Sequence, residues 1–115
     1  MSKVYVVQNP HHIPNGGATL VPKFDFSSAE QYGELEYLLR PNARPWGELL
    51  PTIVHELHCK LSNMTSEDHL LLVGNPVLIG MAVAIAANYT DGKLRLLQWH
   101  GHRESYTPVA VDLKQ

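Results

Sequence analysis

Residues 69 to 99 constrain the fold of this chain more tightly than any other stretch. His69 to Val73 (HLLLV) is almost wholly apolar, as a central strand covered on both faces has to be. Gly74-Asn75-Pro76 then makes a turn, with Pro76 placed for the first position of a helix. Pro76 to Tyr89 holds no charged residue and is apolar nearly all round, so little of such a helix can face water. Asp91-Gly92 marks a second turn, and Leu94 to Trp99 reads as the next strand. A strand–helix–strand unit of this kind is a right-handed crossover that lays two parallel strands in one sheet.

The remaining elements are arranged around that unit. Val4 to Val7 reads as a buried strand, stopped at Gln8-Asn9-Pro10 because proline removes a donor from the ladder. His11 to Pro22 is loop-like, with a turn at Asn15-Gly16-Gly17 and room for a short edge strand at Ala18 to Val21. Phe24 to Glu30 is predicted to open a helix capped by Ser27 or Ser28; Leu35, Leu38 and Leu39 supply its apolar stripe and Pro41 ends it. After a linker at residues 41–45, Leu50, Ile53, Val54, Leu57 and Leu61 give one apolar face to a helix from Trp46 to Ser62. Tyr106 to Leu113 returns antiparallel to the preceding strand across the polar loop His100 to Ser105. The expectation is a single α/β domain over residues 1–115. It is a small Rossmann-like three-layer fold of about four strands, with a mostly parallel sheet and an antiparallel C-terminal hairpin.

Composition narrows the partners. The net charge is −2 with 17% charged residues, and the nine Lys and Arg are scattered singly. That disfavours nucleic acid as a partner, which calls for a basic face, and favours self-association or a protein partner. The single Cys59 cannot form an intramolecular disulfide, which fits a reducing compartment. The longest apolar run, Pro76 to Ala87, is too short to span a membrane. A cytoplasmic location is the expectation.

The chemistry-bearing candidates cluster at two similar strand ends, Val6-Val7-Gln8-Asn9-Pro10 and Leu72-Val73-Gly74-Asn75-Pro76. Ligands of open α/β sheets gather outside the carboxyl ends of strands where neighbouring connections diverge. If the two strands are adjacent and parallel, Asn9, Pro10, His11, His12, Gly74, Asn75 and Pro76 converge on one crevice. The free N–H groups of the helix beginning at Pro76 would then favour an anion such as a phosphate. His11 or His12 would be the candidate general base there. No G-x-G-x-x-G and no phosphate-loop lysine is present, no nucleophile is fixed by spacing, and no cofactor is implied, so enzymatic activity stays undecided. His55 and Cys59, four apart on one helix, are candidate metal ligands but need others from His69, His100 or His102 to close a site. Gly80, Ala84 and Ala87 form a small-residue stripe suited to close approach by the sheet or by another helix.

Asp68-His69-Leu70-Leu71-Leu72-Val73-Gly74-Asn75-Pro76, the Ile79-Gly80 helix, Leu96-Leu97-Gln98-Trp99 and the closing Tyr106 to Leu113 resemble a group of small proteins of tailed bacteriophages. The opening Val4-Tyr5-Val6-Val7-Gln8 is similar too. Where such proteins more often carry an acidic residue, this chain has Asn75 and His100, which speaks against an acid or metal role at either. The resemblance implies a phage origin and supplies no activity. The first functional expectation is therefore a phage accessory protein that works as a homodimer binding a host or phage protein. The alternative is a protein, or a simple hydrolase, that takes a nucleotide or phosphorylated metabolite at the crevice of the two Asn-Pro turns.

Overall fold

The computed structural model describes residues 2–22, 24–47 and 49–114. Its strands are β1 (Lys3–Gln8), β2 (His11–His12), β3 (Val21–Pro22), β4 (Glu34–Leu39), β5 (His69–Leu71), β6 (Lys93–His100) and β7 (Ser105–Asp112). Its α-helices are α1 (Leu50–Leu61) and α2 (Pro76–Tyr89), and a 3₁₀ helix spans Ser27–Tyr32. Five strands form one sheet in the order β4-β1-β5-β6-β7, and β2 and β3 make a separate antiparallel ribbon. The pairings β4–β1, β1–β5 and β5–β6 are parallel, while β6–β7 is antiparallel. The mostly parallel α/β sheet with an antiparallel C-terminal pair is as expected, with one strand more.

That extra strand is β4, which lies where a longer helix was predicted. Gly33 separates the 3₁₀ helix from β4 with φ at +152°, and a Cβ there would sit 2.6 Å from the Ser2 carbonyl oxygen. A side chain would collide, so the chain turns out of the helix at this point. Beyond it Glu34-Leu35-Glu36-Tyr37 alternates polar and apolar, the period of a strand. As an edge strand β4 presents unpaired carbonyls, and two are covered: Lys60 Nζ donates to the Tyr37 and Leu38 oxygens at 3.2 and 2.9 Å. Helix α1 begins at Leu50 rather than Trp46, with Pro51 in its first turn, where a missing N–H costs nothing.

Both α-helices lie on the same face of the sheet. Leu57 and Leu61 of α1 and Leu78, Ala82 and Ala86 of α2 pack with Tyr5, Leu70 and Leu94. The opposite face is covered by the short 3₁₀ helix and its lead-in, whose Phe26 and Ala29 pack on Val4, Val6, Leu71 and Leu97. The third layer is therefore thin. Gly80 and Ala84 do not meet the sheet: both are exposed, and open space surrounds a Cβ built at Gly80. Among the described residues, no helix is long and apolar enough to cross a membrane.

The connection leaving β1 carries the 3₁₀ helix over one face, and the connection leaving β5 carries α2 over the other. Since β1 and β5 are parallel neighbours, their carboxyl ends form the switch point of the sheet, the position at which open α/β folds leave a crevice.

Candidate functional site

Gln8 is the keystone of the switch point. It is buried at the last position of β1, and its backbone N–H donates to the Val73 oxygen at 3.2 Å. Its side-chain Oε1 accepts from the Asn75 N–H at 3.0 Å. On the other side its Nε2 faces three carbonyls of the β4–α1 connection: Arg40 and Pro41 at 3.2 Å and Ala43 at 2.9 Å. One amide thus ties the β4–α1 linker to the β5–α2 turn. Gly74 makes room for it. At φ +118° a side chain is strained, and a Cβ at Gly74 would lie 2.7 Å from that of Gln8.

Above this tie opens a crevice of about 680 Å³, lined by Gln8, Pro10, His11, Arg44, Trp46 and Asn75 among others. Among the described residues its lining holds one guanidinium and one imidazole and no carboxylate, a charge balance that suits an anion. The Arg44 guanidinium stands 5.9 Å from the centre of the Trp46 ring, within cation–π range, and Trp46 is 59% exposed. His11 Nδ1 is 2.9 Å from the Asn9 carbonyl oxygen. A carbonyl only accepts, so Nδ1 carries the proton and Nε2 of the neutral ring is left to act as an acceptor or base.

The structure brings some of the sequence candidates together and sets others apart. Pro10, His11 and Asn75 line the crevice and Gly74 adjoins it, whereas His12 is exposed on β2 and contributes nothing to the lining. Asn9 is 7% exposed and outside the crevice lining, its Nδ2 donating to the Phe24 oxygen at 3.5 Å and its Oδ1 buried without a partner among the described residues. Asn75 Oδ1 accepts from the Val77 N–H at 2.9 Å as the N-cap of α2, so one amide of that helix terminus is already satisfied. Pro76 is exposed at the helix start. Gln8, Arg44 and Trp46 were not candidates in the sequence. The one available signal was Arg44-Pro45-Trp46, a cation and a large aromatic in a linker that follows an apolar run.

The other candidates lie elsewhere. Cys59 Sγ and His55 Nε2 are 3.4 Å apart on an exposed flank of α1. His69 is on the opposite face, packed against Tyr32 with ring centres 5.2 Å apart, and His100 and His102 are at the β6–β7 tip. Among the described residues no group of three or more His, Cys, Asp or Glu could hold a metal ion. His58, by contrast, has a structural contact: its Nδ1 lies 2.9 Å from the Tyr89 hydroxyl, joining α1 to α2.

A second concavity of about 400 Å³ lies at the carboxyl ends of β5 and β6, on the 3₁₀-helix side of the sheet. Phe24, Phe26, Trp99 and Tyr106 wall it, and among the described residues Asp25 is the one charged member of its lining. Burial raises the Tyr106 phenol above its ordinary value, and the Asp25 charge adds to the effect, as desolvation and a nearby anion both disfavour phenolate.

Comparison with known proteins gives one match. No curated protein and no solved structure matches the chain significantly. The family model described as Phage Pam3 gp32-like protein matches residues 2–113, and so covers β1, the crevice and the C-terminal hairpin alike. The chain belongs to the Phage Pam3 gp32-like protein family, a family of phage proteins.

Proposed function

We propose that this protein is a phage accessory protein of the host cytoplasm that acts by binding a small phosphorylated ligand in the crevice at the carboxyl ends of β1 and β5. The observation that carries the reading is the adjacency of those two strands, with Pro10 and His11 after one and Asn75 after the other lining one crevice. Arg44 gives its lining a positive charge, with no carboxylate opposing it among the described residues. The ligand's phosphate lies against Arg44, and Trp46 covers its apolar part. If the site is hydrolytic, His11 Nε2 is its base. Native mass spectrometry of gently purified protein tests this. A retained mass of metabolite or nucleotide size, lost in Arg44→Ala, supports the reading, and a clean ligand-free spectrum opposes it.

One observation favours a second reading, a homodimer that engages a host or phage protein. Val77, Gly80 and Ala84, spaced along one flank of α2, are all exposed, and an apolar helix flank left in water is a natural seam. Light scattering decides it: a dimer that becomes a folded monomer in Ala84→Arg supports this seam, and a monomeric parent removes it.

A further inference from the structure

We propose that the aromatic concavity on the 3₁₀-helix side of the sheet binds a guanine base, stacked on Trp99 with its N1–H and 2-amino edge on the Asp25 carboxylate. At about 400 Å³ the space is within the range of small-molecule sites. Two of its walls are large rings that are not fully buried: Trp99 is 49% and Phe24 44% exposed. Isolated exposed aromatics are ordinary, but these two border one hollow together with Phe26 and Tyr106. Trp99 and Tyr106 are opposite each other across β6 and β7, and their rings meet edge-on, 5.1 Å between centres at 64°. Trp99 keeps about half of its surface exposed beside that contact, and a flat partner on an aromatic surface gains stacking energy beyond simple burial.

The polar chemistry selects among flat partners. Asp25 lies between Phe24 and Phe26 in the chain, and one of its oxygens is fixed by the Ser27 N–H at 2.9 Å. A carboxylate only accepts, so its partner across the hollow must donate. Two parallel N–H groups match a carboxylate best, and guanine presents such a pair. Adenine and cytosine each place a ring nitrogen acceptor where the second donor is needed, and its lone pair would meet carboxylate oxygen. This inference goes beyond the crevice reading and does not depend on it, because a nucleoside without phosphate suffices.

The two tryptophans report on the two places separately: Trp46 lines the crevice and Trp99 the aromatic hollow. The test is a ¹H–¹⁵N titration of the whole chain with guanosine, inosine and adenosine, following the two indole N–H signals. Guanosine should shift the Trp99 signal saturably while the Trp46 signal stays in place. Inosine, lacking the 2-amino group, should bind at least fivefold more weakly, and Asp25→Asn should erase that preference. The Asn variant keeps an acceptor for Ser27, and the guanosine–inosine contrast in the parent remains decisive if the variant folds poorly. A Trp99 signal unmoved at the solubility limit, or equal binding of adenosine, overturns the proposal. Movement of Trp46 alone overturns it while leaving the crevice reading standing.

Discussion

Gln8 shows how much one side chain can hold at a switch point. Its carboxamide donates towards three carbonyls and accepts from Asn75. Truncation to Ala leaves those carbonyls short of a donor and opens a gap under Gly74. We expect Gln8→Ala to lose about 2–3 kcal/mol, read as a lower urea midpoint at unchanged slope. Gln8→Glu should be no better, because a carboxylate cannot donate to the linker. A loss in Gln8→Ala within the scatter of ordinary surface changes, about 0.5 kcal/mol, would show that the linker is held by other means. His69 offers a pH test. Burial and Arg95 lower its basicity, with Asp68 pulling the other way, and its Nδ1 is buried without a partner among the described residues. The unfolded chain therefore takes up this proton more readily. The contribution is complete above the ordinary imidazole pKa of about 6.5 and erodes as pH falls through it towards the lowered native value. His69→Gln should flatten the fall in stability on the acid side relative to the parent, and identical pH profiles would refute the assignment. At this scale the Asn-Pro turns were legible in the sequence. Gln8 was not, since a glutamine at a strand end has no pattern until the neighbouring turns are known.

Among the elements, those with a strong local signal came through and those without one did not. Strand β6, helix α1 and the turn before α2 lie within a few residues of their predicted places, because apolar periodicity and proline position specify them. The segment 24–39 reads as a helix only if Gly33 is tolerated inside it. In the fold Gly33 is where the chain passes beside Ser2, a tertiary contact that no local rule contains. Helix α2 spans Pro76–Tyr89 as read from the sequence, but its facing was not legible. It is apolar on every side, so its sequence carries no direction, and Leu78, Ala82 and Ala86 rather than Gly80, Ala84 and Ala87 take the buried positions. Gly80 therefore sits mid-helix with free space around it. Gly80→Ala should stabilise the protein by about 0.5–1 kcal/mol, raising Tm by several degrees. A fall in Tm would mean that Gly80 is in close contact with a second molecule, as the dimer seam requires.

For the whole molecule, what matters is strand order. A chain of strands and helices in the order read from the sequence can place β1 and β5 side by side or apart, and only the first makes a crevice. The order β4-β1-β5-β6-β7 depends on β4 joining the sheet beyond β1, and β4 was the strand the sequence concealed. The same order puts the crevice and the aromatic hollow at one end of the molecule. The measurement that tests the central claim most directly is isothermal titration of the parent and Arg44→Ala with inorganic pyrophosphate and the four ribonucleoside monophosphates. Arg44 is exposed, so its loss should leave the fold intact. We expect saturable binding of at least one of these anions, weakened about tenfold or more in the variant, the loss of roughly one charge-assisted contact of about 1.4 kcal/mol. No binding to the parent, or equal binding to the two proteins, would contradict the assignment of the crevice as an anion site.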